Sequence, residues 1–258
     1  YCYRCAYNLS YPKCDLYCVR WVEDTLFRTT VPAEEVGAIF VEPIQGEGGY
    51  IVPPPEFHRE LHKIAKKHGI LYVADEVQSG MGRTGKMFAM EHFGVMPDIM
   101  ALAKGIASGL PLGAMIARAK IMNWEAGSHA STFGGNPLSC QAAMATIELL
   151  ENNMMKNAEK QGNRLLKGLK KLQNTFECMG DVRGKGLMVA VELVKDRETK
   201  EPATTWRNRI IKETFEKGLL VLGCGENSIR FSPSLSVKSG EVDTCLSIFE
   251  EALKKVAG

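Results

Sequence analysis

Apolar and polar positions along the chain fall into two textures. "VGAIFVEP" (36–43) and "ILYVADE" (70–76) are short continuous apolar runs, each closed by Pro or by acidic residues. Such runs read as strands buried on both faces of a parallel sheet. Between them, "PEFHRELHKIAKKHG" sets Phe57, Leu61, Ile64 and Ala65 at helical spacing, with Gly69 placed to stop the helix. Strand, helix and strand in that order predict a right-handed parallel crossover. His58 and His62 lie four apart on this helix; Glu60 is misplaced for a zinc-protease motif, so both histidines are expected to be exposed polar residues. "WVEDTLF" (21–27) reads as a short amphipathic helix, and "DIMALAKG" and "LGAMIAR" as two further strands.

From Pro137 the pattern changes. "NPLSCQAAMATIELLENN" and "AEKQGNRLLKGLKKLQ" are long helical stretches, and "VRGKGLMVAVELV" alternates like strands of a half-exposed sheet. "TWRNRIIKETFEKG" predicts a helix closed by Gly218, "LLVLG" and "SIRFSP" two strands, and "SGEVDTCLSIFEEALKKVA" a closing helix. The expected organisation is a Cys-rich lead over 1–30, part of a parallel α/β domain over 31–150, and a bridging helix with a smaller α+β domain over 151–258.

Composition narrows the class. With 32 Lys plus Arg against 30 Asp plus Glu in 258 residues, the net charge of +2 gives no argument for nucleic acid or an anionic membrane. No apolar stretch approaches the roughly 18–20 residues that span a bilayer. The start, "YCYRCAYNLSYPKC", lacks the apolar segment of a signal peptide and does not begin with Met. Of the eight cysteines, four are scattered, whereas Cys2, Cys5, Cys14 and Cys18 form C-x2-C-x8-C-x3-C. That spacing suits one zinc ion or an iron–sulfur cluster, and equally a loop of reduced thiols.

Gly80-Met-Gly82-Arg-Thr-Gly85-Lys satisfies both G-x-G-x-x-G and G-x-x-x-x-G-K. Neither nucleotide reading holds. Asp75 and Glu76 stand where a pyrophosphate would lie, and Met87 replaces the hydroxyl residue that holds magnesium. The glycines read instead as a turn that passes close to another group, with Glu76 as a structural hydrogen-bonder.

Lys104, in "ALAKGIASGLPLG", ends an apolar strand beside Gly105, a setting expected to desolvate it partly and free its amine as a nucleophile. A Schiff-base lysine with an Asp at the end of a neighbouring strand is the arrangement that holds pyridoxal phosphate. "EPIQGEGGY", "ADEVQSGMGRTGKMFAMEHFG", "PDIMALAKGIASGLPLGA" and "STFGGNPLSCQAA", in that order, resemble class III (omega) aminotransferases, nearest to 4-aminobutyrate and ornithine types. The likeness runs from Val31 to the C-terminus.

The resemblance implies a fold-type I transferase: part of a large domain with a parallel-rich sheet, and a C-terminal α+β small domain. It implies that Asp75 keeps the pyridine nitrogen of pyridoxal 5'-phosphate protonated, that Val77 packs on the ring, and that Gln78 bonds the phenolic oxygen. Lys104 would carry the cofactor as a Schiff base and shuttle the proton. Thr132 would bind the phosphate from the partner subunit of a homodimer with a shared active site. Arg230 would take the substrate α-carboxylate, and Glu47 would pair with Arg230 when an ω-amine lacks one. The implied substrates are an amino acid and a 2-oxo acid, and the implied location is cytoplasmic.

Family members are longer, so the resemblance makes this chain their C-terminal portion, without the Gly/Ser phosphate turn and the stacking aromatic. It is expected to bind the cofactor weakly or not at all as written. Two other readings stand beside transamination: amino-acid racemisation, known among archaeal relatives of this look, and a non-catalytic fragment with a four-cysteine metal site.

Overall fold

The computed structural model describes residues 1–257. The chain divides into two compact units: one comprises Tyr1–Pro43, Pro53–Met81 and Lys86–Glu151, and the other Ile44–Val52, Gly82–Gly85 and the chain from Asn152 onward.

The first unit is built on a four-stranded sheet, β1 (Ala38–Val41), β2 (Leu71–Asp75), β3 (Ile99–Leu102) and β4 (Ala114–Ala117), in that spatial order. β1, β2 and β3 are parallel, and β4 runs antiparallel to β3. The N-terminal stretch is helical from α1 (Tyr17–Trp21) through a π turn (Val22–Leu26) to α2 (Phe27–Thr29). α3 (Phe57–Lys67) is the crossover helix between β1 and β2, and Gly69, at φ +72°, reverses the chain after it. Leu61, Ile64, Ala65, Tyr72, Ala74, Met90 and Phe93 make the core.

Two expectations fail here. β1 is not buried on both faces: it is one of the sheet's two edge strands, and Phe40 is 75% exposed. His58 is not exposed. It is buried, with Nε2 2.9 Å from the Pro43 carbonyl and Nδ1 2.8 Å from the Tyr72 hydroxyl. A carbonyl only accepts, so Nε2 carries the proton and Nδ1 accepts from Tyr72. Burial lowers the His58 pKa, which keeps this neutral tautomer in place. His62 is half-buried, its ring 5.3 Å from that of Tyr72.

α4 (Pro137–Leu149) closes the first unit; its N-cap is Asn136, whose Oδ1 accepts from Ser139 N at 2.9 Å. A π turn (Leu150–Met154) separates it from α5 (Met155–Thr175).

The second unit has an antiparallel sheet in the order β5 (Met179–Lys185), β6 (Met188–Leu193), β8 (Ser228–Phe231), β7 (Leu222–Cys224). It packs with α5, α6 (Thr204–Glu216) and α7 (Ser239–Ala257) around Leu165, Leu169, Val191, Ile210, Ile229 and Phe249. β6 is buried along its whole length, so the half-exposed reading of "LMVAVELV" is corrected. One face meets this core, and on the other Ile44 and Tyr50 cover Met188 and Ala190.

Backbone meets backbone at Gly162 on α5: a Cβ there would lie 2.0 Å from the Gly186 carbonyl oxygen. Gly186 sits equally tight, 2.4 Å from the Thr84 carbonyl carbon by the same measure. Among the described residues no helix is long and apolar enough to cross a membrane. Gly162→Ala forces α5 away from the β5–β6 turn and is expected to cost about 3 kcal/mol, read as a lowered urea midpoint with an unchanged m-value.

Candidate active site

β2 ends on Asp75, and parallel pairing sets Asp75 opposite Ala101 on β3. The pairing continues one residue further, where Glu76 N donates to the Ala101 carbonyl at 3.0 Å. Lys104 follows two residues after the end of β3. Carboxylate and amine thus leave the carboxyl ends of adjacent parallel strands, the place where open α/β sheets bind ligands.

The Asp75 carboxylate is oriented by its own loop: Val77 N donates to Oδ1 at 3.0 Å. Val77 and Gln78 are half-buried on that loop. A Cβ at Gly105 would stand 3.3 Å from Met81 Cβ, so the Lys104 turn and the loop after β2 approach closely. Lys104 itself is exposed and sits at φ +47°. The expected desolvation is therefore wrong: the chain turns left-handed right after the strand and carries the side chain out of the sheet.

Glu76 points the other way and is buried. Its Oε2 accepts from Ser79 Oγ at 2.6 Å and its Oε1 from Met90 N at 2.8 Å. This pins the glycine loop to the helical turn Ala89–Phe93. Gly80 is required there, because a Cβ would lie 2.8 Å from the Glu76 carbonyl. At its other end Gly85 lies against Glu159 of α5, with 3.0 Å left for a Cβ. Thr132 lies in an exposed stretch before α4.

In the second unit, Arg230 stands on β8 opposite Ala190 and Leu222. Its Nη1 donates to Glu47 Oε1, and its guanidinium lies 5.9 Å from the centre of the Tyr50 ring. Burial alone would depress the Arg230 pKa; the Glu47 carboxylate outweighs it, and the net shift is upward. Glu47 rides on the loop Ile44–Val52, closed by a two-way backbone pair between Gln45 and Ile51 at 3.1 Å in each direction.

The N-terminal cysteines do not meet the metal expectation. All four are free thiols, and among the described residues no group of three or more His, Cys, Asp or Glu is placed to hold a metal ion. Backbone N–H groups of Leu9 and Tyr7 lower the Cys5 pKa, whereas burial raises those of Cys2 and Cys18.

The family profile described as "Aminotransferase class-III" matches residues 5–253. The chain belongs to the class III aminotransferases. It is 44% identical to the leucine/methionine racemase of Thermococcus litoralis over 99% of this chain and 58% of that protein. It is 41% identical to the acetylornithine aminotransferase of Caldanaerobacter subterraneus, over 86% of this chain and 55% of that one. A solved amine transaminase from an uncultivated Pseudomonas species, in its pyridoxal-phosphate-bound form, superposes with TM-score 0.92 at 36% identity, over 99% of this chain and 60% of that one. The fold is therefore fold-type I, and the family is one of pyridoxal-phosphate enzymes. The chain spans about half the length of the curated relatives it matches.

The residues present fit that cofactor. A carboxylate held at one strand end and an exposed amine at the end of the next supply the two groups a pyridinium and an aldehyde need. Burial raises the Glu76 pKa. Such an acid holds its proton more tightly in the native state, so its stabilisation is full below the unfolded pKa and is lost as pH rises through the folded one. The urea midpoint of Glu76→Gln, which keeps the shape without the titration, is expected to gain on that of the parent as pH rises above about 4.

Proposed function

We propose that the protein encoded with this chain is a transaminase moving an amino group from an ω-amino acid of the 4-aminobutyrate or ornithine type to 2-oxoglutarate. The observation that carries this reading is the Glu47–Arg230 ion pair. An arginine that always faced an α-carboxylate would have no use for a standing partner. One that must be neutralised for a terminal amine, and released for a 2-oxo acid, needs an acceptor it can leave. Glu47 suits this because its side chain is 73% exposed, and exposed pairs are worth only about 0–1 kcal/mol.

Bound pyridoxal phosphate supplies the electron sink that lets a proton leave the substrate carbon. The chain's own residues do the rest. Lys104 would hold the cofactor through its amine and would serve as the acid and base that moves the substrate proton. Asp75, its orientation fixed by Val77 N, would accept a hydrogen bond from the ring nitrogen and keep it protonated. Val77 would pack on the ring and Gln78 would bond its phenolic oxygen. Thr132 would bind the phosphate across a homodimer interface, a role its exposure leaves open to it. Arg230 grips carboxylates with its planar fork.

A racemase is the second reading, favoured by the 44% identity to the T. litoralis enzyme. Racemisation returns the proton to the same carbon; transamination places it on the cofactor. Single enantiomers incubated with and without 2-oxoglutarate separate the two. The transaminase needs the 2-oxo acid and yields glutamate, whereas a racemase yields the opposite enantiomer without it, which would overturn the first reading.

Lys104→Ala should abolish the visible band of lysine-bound cofactor and lower turnover by at least about 100-fold. Asp75→Ala should keep the band and lose rate by orders of magnitude. A band surviving in Lys104→Ala would remove Lys104 from this role.

A further inference from the structure

The loop that carries Glu47 is gripped by Arg183, a β5 residue whose side chain is only 10% exposed. One side of its guanidinium faces the sheet's carboxylates: Nη1 donates to Asp181 Oδ2 at 2.8 Å and to Glu192 Oε2 at 2.7 Å. Glu192 is fully buried, so this pairing compensates its charge. The other side grips the loop. Nε and Nη2 donate to the Gly49 carbonyl at 3.0 and 2.7 Å, and Nη2 reaches Ser228 Oγ at 3.1 Å.

Gly49 lies two residues after Glu47, and Ser228 two residues before Arg230. The grip leaves no room for a side chain on the loop: Gly49 is at φ +125°, and a Cβ there would stand 3.0 Å from Arg183 Nη2. A second tie holds the same loop, Gly225 N donating to the Glu47 carbonyl at 2.7 Å.

The energetics explain why a clamp is needed. Ordering one backbone residue costs about 1–2 kcal/mol, more than an exposed ion pair returns. Glu47 cannot hold its own loop in place. The loop must already be ordered for the carboxylate to stand at Arg230.

We propose that Arg183 is a positioning residue that orders the Glu47 loop, and that it thereby sets how the site divides its use between amines lacking an α-carboxylate and α-carboxylate substrates. This rests on the transaminase reading above. The two partners of the switch are in contact, and Arg183 holds the backbone between them.

Arg183→Lys is the informative variant, since it keeps a charge for Glu192 and loses the fork on Gly49. By hydrogen–deuterium exchange, the Gly49, Tyr50, Ile51 and Gly225 amides should exchange at least about tenfold faster, while those of Val189 and Val191 on β6 stay protected. The ratio of kcat/KM for 4-aminobutyrate to that for glutamate should fall by about tenfold, with KM for 2-oxoglutarate unchanged or lower. In Glu47→Gln the ratio should already be low, and adding Arg183→Lys should lower it no further.

Unchanged loop exchange overturns the proposal, and so does a loosened loop with an unchanged or additive ratio. If β6 exchanges as fast as the loop, the Arg183→Gln/Glu192→Gln pair, which leaves no buried charge, repeats the test under the same criteria. If the parent turns over no amine, the transaminase reading fails; the Arg183 proposal then fails with it as a claim on substrates, and exchange still decides whether Arg183 orders the loop.

Discussion

Everything at the carboxyl end of the first unit's sheet depends on the parallel pairing of β2 with β3. That pairing aligns Asp75 with Ala101 and extends through Glu76 N, so the two strands end in step. A slip of one residue would turn Asp75 into the core and bring Glu76 out, because side chains alternate along a strand. The buried position of Glu76 guards against this slip. Its carboxylate is satisfied only where Ser79 and Met90 N reach it, so the register that exposes Asp75 is also the one that keeps a buried acid hydrogen-bonded.

The second unit solves a different problem with similar means. On the transaminase reading Arg230 serves more than one carboxylate, and its standing partner Glu47 has a side chain that is 73% exposed. The rigidity the arrangement needs is moved into the backbone. Gly49, Gly225 and the Gln45–Ile51 pair hold the loop, and a nearly buried guanidinium ties it to acids of the sheet. The buried ties are on the loop's backbone, and the exposed one is the Glu47 side chain.

Much of this was legible in the sequence. Continuous apolar runs gave the parallel strands, and helical spacing gave α3, because period and run length follow directly from burial. That Asp75 and Lys104 stand at or just past the ends of neighbouring strands was legible, because each closes an apolar run. The burial of His58 carried a signal that was passed over: it shares the α3 face of Leu61 and Ala65. The exposure of Lys104 was not legible, since it depends on a left-handed turn at a residue with no local mark of one. Nor was Arg183, whose glycine partner lies 134 residues away in sequence. The outer position of β1 escaped because a four-residue apolar run looks the same at the edge of a sheet as inside it.

The glycines of the second unit have a further consequence. At Gly162, Gly186 and Thr84 main chain rests on main chain, with no side chain between. Side-chain contacts can adapt by changing rotamer; these have no rotamers to change. They act as a fixed gauge between α5, the β5–β6 turn and the Gly82–Gly85 segment. Substitutions elsewhere in the unit can drift and be absorbed by repacking around that gauge, so its dimensions can outlast most of the sequence that surrounds it.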